Sequence, residues 1–164
     1  GGPHTRDSMR YTRMGSSKTE RIEGQTDGER FAGTTAALAL VGVEGEVLLR
    51  LLRALAGVLL LGQVDFTAAA SAGDDAGAEV SPGTAGDAAL VAAALQVEEG
   101  ALVQALTQRV IKTRNESFVK PLSPDSAVAT RDAIAKELYA RLFDWLVGRI
   151  CAATAAPDAE SKHF

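Results

Sequence analysis

The strongest constraint on the fold is the run from 124 to 151, PDSAVATRDAIAKELYARLFDWLVGRIC. Ile134, Leu138, Leu142, Trp145 and Ile150 recur at helical spacing, with Ala135, Tyr139, Phe143, Leu146 and Val147 beside them. Arg131, Lys136, Glu137, Arg141, Asp144 and Arg149 take the remaining positions. A helix with so wide an apolar face cannot be solvated on that side, so it must run through a domain larger than itself. Ser123 directly before Pro124 gives it an N-cap followed by the residue favoured at the first helical position. Asp125 lies near the positive end of the helix dipole.

A charged hairpin precedes that helix. The β-prone runs 110–113 and 117–120 flank Arg114 and Asn115, and Asn tolerates the positive φ of a tight turn. Pro121 and Pro124 end it. The hairpin, 109–120, carries Arg109, Lys112, Arg114 and Lys120 against Glu116 alone, so an acidic partner surface meets it favourably. By contrast, no Lys or Arg lies between Arg53 and Arg109, where Asp65, Asp74, Asp75, Glu79, Asp87, Glu98 and Glu99 all fall. The overall charge of -4 therefore hides a local inversion.

The rest of the chain reads as mostly helical, with 46% apolar residues over 164, enough to bury a core. Residues 1–30 are polar, read as loop or poorly ordered, with Met9, Tyr11, Met14 and Ile22 as apolar landmarks before Phe31. A helix is predicted over 27–41, with Phe31, Ala37, Leu38 and Val41 inward and Gly42 ending it. A second is predicted over 45–61, with Val47, Leu48, Leu51, Leu52, Leu55, Val58 and Leu59 on one face and a Glu46–Arg50 pair on the other. Residues 63–66, Gln-Val-Asp-Phe, alternate like a half-buried strand. Residues 67–86 read as a flexible surface loop, followed by helices over 87–95 and 98–106 with Val97 placed as a staple.

The apolar run 54–64 is too short to span a bilayer, and no membrane span is expected. A single cysteine, Cys151, excludes an internal disulfide, and His4 and His163 give no metal-ligand spacing. The chain starts Gly-Gly-Pro-His rather than with Met and lacks the apolar core of a signal peptide, so it reads as a fragment of something longer.

The literal string R-V-I-K-T-R-x-E, then P-L-S, then A-x-x-x-R-D-A-I-A-K-x-L-Y-x-R-L-F-D-W-L-V-x-R-I closely resembles the myosin motor head. The landmarks Tyr11, Ile22-Glu23-Gly24, Asp27 and Phe31 resemble that family's Y-L, I-x-G-V-D-D and F, with Thr12 for Leu and Gln25-Thr26 for Val-Asp. L-L-L-G-Q-V-D-F resembles its L-H-L-G-N-V-x-F, with Leu60 where histidine is usual and Gln63 where asparagine is usual. Cys151 stands where the family has Asn.

The resemblance implies a mainly α fold with a short β-hairpin, a subdomain fragment of the α/β P-loop motor head. Residues 1–26 would be a poorly ordered or divergent stretch and 27–164 a partial motor domain of the upper 50 kDa type. It implies that Arg109, Lys112, Arg114 and Lys120 face actin filaments, that 67–86 is a second actin-facing loop, and that 124–151 runs back toward the nucleotide site. It implies ATP and Mg in the complete head, the rest of that head as a partner, and a cytoplasmic, cytoskeletal setting. This chain itself has no Gly-Lys pair, so no G-x-x-x-x-G-K-[ST] loop can cradle phosphates. Gly15-Ser16-Ser17-Lys18-Thr19 lacks the glycine directly before Lys18, and the downstream D-x-x-G-F-E motif is absent. The chain alone is expected to be inactive as an ATPase and to bind no cofactor.

A different class of function is a stand-alone helical module that uses the basic hairpin on another acidic partner. Nucleic acid is a poor fit, because Lys and Arg are sparse and Phe118 is the hairpin's only aromatic. A P-loop upstream and D-x-x-G-F-E downstream in the flanking sequence would decide for the motor.

Overall fold

In a computed structural model, residues 8–13, 21–70, 77–112 and 117–155 are described. Among them helices dominate, and strands pair only as two-stranded antiparallel ribbons. The first ribbon joins β1 (Arg21–Ile22) to β2 (Gln25–Thr26) through Glu23 and Gly24, both at positive φ. Thr26 then caps α1 (Asp27–Leu40). Its hydroxyl accepts from the Glu29 N–H at 3.3 Å, and the Glu29 carboxylate accepts from the Thr26 N–H at 2.7 Å.

No residue of α1 is buried. Leu38 and Val41 are half-buried as expected, but Phe31 and Ala37 are exposed, because α1 has no sizeable neighbour among the described elements except β2. Helix α2 (Gly45–Leu61) has the predicted bounds and the Glu46–Arg50 pair, at 3.2 Å. Its later turns carry the burial, at Leu51, Val58 and Leu61, while Val47 is exposed. The helix crosses α3 at Gly57, where a Cβ would stand 2.7 Å from the Leu95 side chain, so any larger residue there would displace Leu95.

The segment after α2 departs from the predicted strand over 63–66. Gln63 and Val64 donate back to the carbonyls of Leu60 and Leu61, at 2.8 and 3.2 Å, so they prolong the helix exit and the strand begins at Phe66. β3 (Phe66–Ala68) pairs with β4 (Ala78–Val80), and both Phe66 and Val80 pack against the core. The stretch 67–86 thus holds a ribbon, a 3-10 turn (Pro82–Thr84) and the start of α3, where composition suggested a loop throughout; 71–76 lie outside the described residues. Anchoring by two apolar side chains, and by the Thr84 hydroxyl accepting from the Asp65 N–H at 3.1 Å, outweighs the Ala/Gly/Ser bias.

Helices α3 (Ala85–Leu95) and α4 (Glu99–Thr107) lie close to their predicted bounds. Gln96 adopts a left-handed conformation to end α3, and the Glu98 carboxylate caps α4 by accepting from the Ala101 N–H at 2.6 Å. Val97, predicted to staple this turn, is instead 47% exposed. The core joins Val58, Leu61 and Val64 to Ala88, Val91 and Ala92 of α3, Leu102 and Leu106 of α4, and Ala135 of the last helix. Burial of each such leucine or valine contributes about 1.5–3 kcal/mol.

The hairpin follows α4 directly, as β5 (Gln108–Lys112) and β6 (Ser117–Pro121), and α5 (Pro124–Thr154) runs a turn past the predicted end. Ser123 caps α5, accepting from the Ser126 N–H at 3.3 Å. Ile134, Leu138, Leu142 and Leu146 are half-buried as predicted. Tyr139, Phe143, Trp145, Val147 and Ile150 are exposed, since only the narrow stripe through Leu138 and Leu142 meets the core there. Arg131, grouped by sequence with the solvated positions, is 1% exposed.

Candidate functional site

The hairpin base is fixed to the fold by its backbone. The Leu122 N–H donates to the Thr107 carbonyl at 2.8 Å and the Ala78 N–H donates to the Leu122 carbonyl at 2.7 Å, tying β6 to α4 and β4. Beyond that base nothing described covers the ribbon: Val110, Ile111, Phe118 and Val119 are all exposed. Period-2 alternation puts apolar residues on both faces, so neither face meets a core.

Of the four predicted site residues, the register sets Arg109 directly opposite Lys120, and both are exposed. Neither has an ion pair with a described residue. Like charges facing across a ribbon repel, so this pair opposes the hairpin rather than holding it. Lys112 stands opposite Ser117 at the far end of the ladder. Arg114 lies outside the described residues. A shallow groove of about 450 Å³ runs between the hairpin base and the first turns of α5, lined by Gln108, Arg109, Leu122, Ser126, Ala129 and Thr130.

A second cluster escaped the sequence reading. Arg131 Nη1 donates to the Val64 carbonyl at 2.8 Å and stands 3.4 Å from Asp65 Oδ1; Nε and Nη2 reach Asp132 Oδ1 at 2.9 and 2.7 Å. Above it, Arg10 Nη2 meets Asp65 Oδ1 at 2.7 Å and the Tyr11 hydroxyl donates to Asp132 Oδ1 at 2.6 Å. Burial, then this bond to Asp132, pushes the Tyr11 phenol up to about 12. A signal for Arg131 was present: it sits four residues after Ala127 and three, four and seven before Ile134, Ala135 and Leu138, inside the apolar stripe.

The family described as myosin head (motor domain) matches this chain over residues 4–164. The chain belongs to that family. Myosin-8 of Arabidopsis thaliana is 31% identical over 164 residues, covering 96% of this chain and 10% of that protein. Myosin-7 of the same plant is 35% identical over 158 residues, covering 96% and 9%. Unconventional myosin-Va of Rattus norvegicus is 33% identical over 144 residues, covering 88% and 8%. The chain spans about a tenth of the length of these relatives.

In this segment of a myosin head, the departures from the family string have local explanations. Gln63, in the asparagine position, accepts from the Arg10 N–H at 2.7 Å and donates to the Ser8 carbonyl at 3.0 Å. Thr26, in place of Asp, supplies the cap of α1. Leu60, in the histidine position, packs against the core. Cys151 is exposed. The chain has no Gly-Lys pair and so no G-x-x-x-x-G-K-[ST] loop, and Gly15 to Thr19 lie outside the described residues. Among the described residues there is no group of His, Cys, Asp and Glu suited to a metal ion, and no single helix is long and apolar enough to cross a membrane.

Proposed function

We propose that this chain is part of the upper 50 kDa subdomain of a myosin-type motor, an ATP-driven, actin-filament-binding protein of the cytoplasmic cytoskeleton, and that it forms one wall of the actin-binding cleft. Residues 27–164 belong to that partial motor domain and 1–26 are its divergent edge. ATP and Mg belong to the complete head and are held outside the residues of this chain. The observation that carries the reading is the exposed hairpin on which Arg109 faces Lys120. A ribbon with like charges opposed and apolar side chains bare on both faces gains nothing for the fold, and an acidic filament would relieve it.

On this reading Arg109, Lys112, Arg114 and Lys120 contact actin, and the 67–86 segment is a second actin-facing loop. Helix α5, entered directly from the hairpin and packed on α2 and α4, couples the cleft to the nucleotide site in the rest of the head. Such coupling requires an element with two packed arrangements that both sites bias.

Arg114→Glu in a complete head carrying this segment tests the assignment. Actin association weakens and its salt dependence flattens, each solvated charge contributing roughly 0.2–1 kcal/mol, while ATP turnover without actin barely changes. Unchanged affinity at low salt together with altered basal turnover makes the hairpin structural and the assignment wrong. Residues 1–164 alone show no ATP turnover above blank, with or without filaments; hydrolysis that tracks the protein through purification overturns the reading.

A further inference from the structure

Residues 8–13 lie against the fold as a series of turns, outside any helix or strand, and a few identifiable contacts hold them there. Arg10 pairs with Asp65 through its side chain and with Gln63 through its N–H, both at 2.7 Å, and Gln63 returns a bond to the Ser8 carbonyl at 3.0 Å. Tyr11 bonds Asp132 and lays its ring on Gly62, where a Cβ would stand 2.7 Å from the ring. One short segment is therefore fastened both to the exit of α2 and to α5.

Beneath it lies Arg131, whose own needs are met without the segment above. The Val64 carbonyl and the carboxylates of Asp65 and Asp132 receive its donors, and those carboxylates are each nearly half exposed. With residues 8–13 in place, Arg10 and Arg131 meet Asp65 and Asp132, a neutral set. With them lifted, Arg131 still faces two carboxylates that water can reach. Lifting therefore strands no buried charge, the event that makes most breaks of a buried ion pair so costly.

We infer that residues 8–13 form a detachable strap that closes over Arg131, fixes the first half of α5 to the α2 exit, and opens as a unit with the core intact. Because the Arg10 and Asp65 side chains remain 34% and 45% exposed, salt screens their pairing and favours opening.

Limited trypsin digestion of the 164-residue chain reads this directly, since cleavage after Arg10 requires the strap to leave, whereas cleavage after Arg53, within α2, requires the core to open. Tyr11→Phe removes the bond to Asp132, and Gly62→Ala pushes the ring away without touching a charge. Each raises cleavage after Arg10, Tyr11→Phe by about fivefold, the factor expected for one lost hydrogen bond, and leaves cleavage after Arg53 unchanged. Salt at about 0.5 M does the same in the unmodified chain. The proposal is overturned if the Arg10 and Arg53 rates rise together in both variants, if neither variant changes the Arg10 rate, or if the unmodified chain is already cut after Arg10 as fast as the unfolded chain.

Discussion

The two halves of α5 were written in the same amphipathic pattern but ended buried to different degrees. The first half buries Ala127, Arg131 and Ala135, with Ile134 and Leu138 packed on the core. The second leaves Tyr139 and Phe143 57% exposed and Trp145 41% exposed. So the half that hides a guanidinium is the settled one, whereas the half that carries the aromatics keeps Leu142 on the core but leaves those rings exposed. Helical periodicity reports that a helix needs a neighbour, but the neighbour has to be present for the face to be filled. Tyr139 and Phe143, four residues apart on one face of the helix, and Trp145 on another, leave exposed apolar surface of the kind that other parts of a larger protein cover.

Arg131→Met is the strongest way to break this contrast. It keeps an apolar stem in place but removes the donors to the Val64 carbonyl, Asp65 and Asp132. The expected loss is about 3 kcal/mol in denaturant unfolding, at the low end for a broken buried pair because the carboxylates can hydrate. A variant as stable as the parent would mean that Arg131 is merely accommodated in the first half.

What the residues disclosed, and what they hid, follows the same line. The hairpin and the bounds of α2 were legible because Pro, Gly and Ser punctuation and local periodicity set them. The β3–β4 ribbon was not, because its stability comes from Phe66 and Val80 reaching the core across an Ala- and Gly-rich stretch, a contact that no local composition reveals. The exposure of Phe31 was hidden for the converse reason: α1 has an apolar stripe but, among the described residues, no sizeable facing element besides β2. Arg131 was read as solvated because it is charged, although its spacing placed it in the stripe. Of the actin-facing candidates, sequence supplied the residues, and the ladder added that Arg109 and Lys120 oppose one another.

A pH titration sharpens the account of the first half. Tyr11 has its folded value raised from 10.0 to about 12, so the folded chain holds that proton more tightly than the unfolded one. The stability tied to this contact is complete below pH 10 and is lost as pH rises toward 12. Unfolding free energies of the parent should therefore fall over that window more steeply than those of Tyr11→Phe; parallel curves would remove Tyr11 from the fastening of α5.

The second half should respond differently again. Phe143→Ser combined with Trp145→Ser changes unfolding stability by no more than about 0.5 kcal/mol, the range of exposed substitutions. Self-association and binding of an apolar dye should drop clearly, as sedimentation and fluorescence would show. A large stability loss would mean that the two halves pack alike.

The smallest effect is expected at the leading end of α5, where charge is handled in the reverse of the way it is at Arg131. Arg131 has two carboxylates, whereas Arg109 has a lysine across the ribbon. Lys120→Glu converts that repulsion into attraction and should stabilise the chain by a few tenths of a kcal/mol, roughly 0.2–0.5, within the range of cross-strand charge pairs. Thermal unfolding of the chain measures the gain. In a complete head the same change should weaken actin association, because it places a carboxylate on the face proposed to meet an acidic filament. A substitution that improves the fold while impairing binding separates residues kept for a partner from residues kept for packing. If Lys120→Glu instead destabilises the chain, Lys120 is holding the hairpin, and the division between the packed half of α5 and the partner-facing loop at its head is drawn in the wrong place.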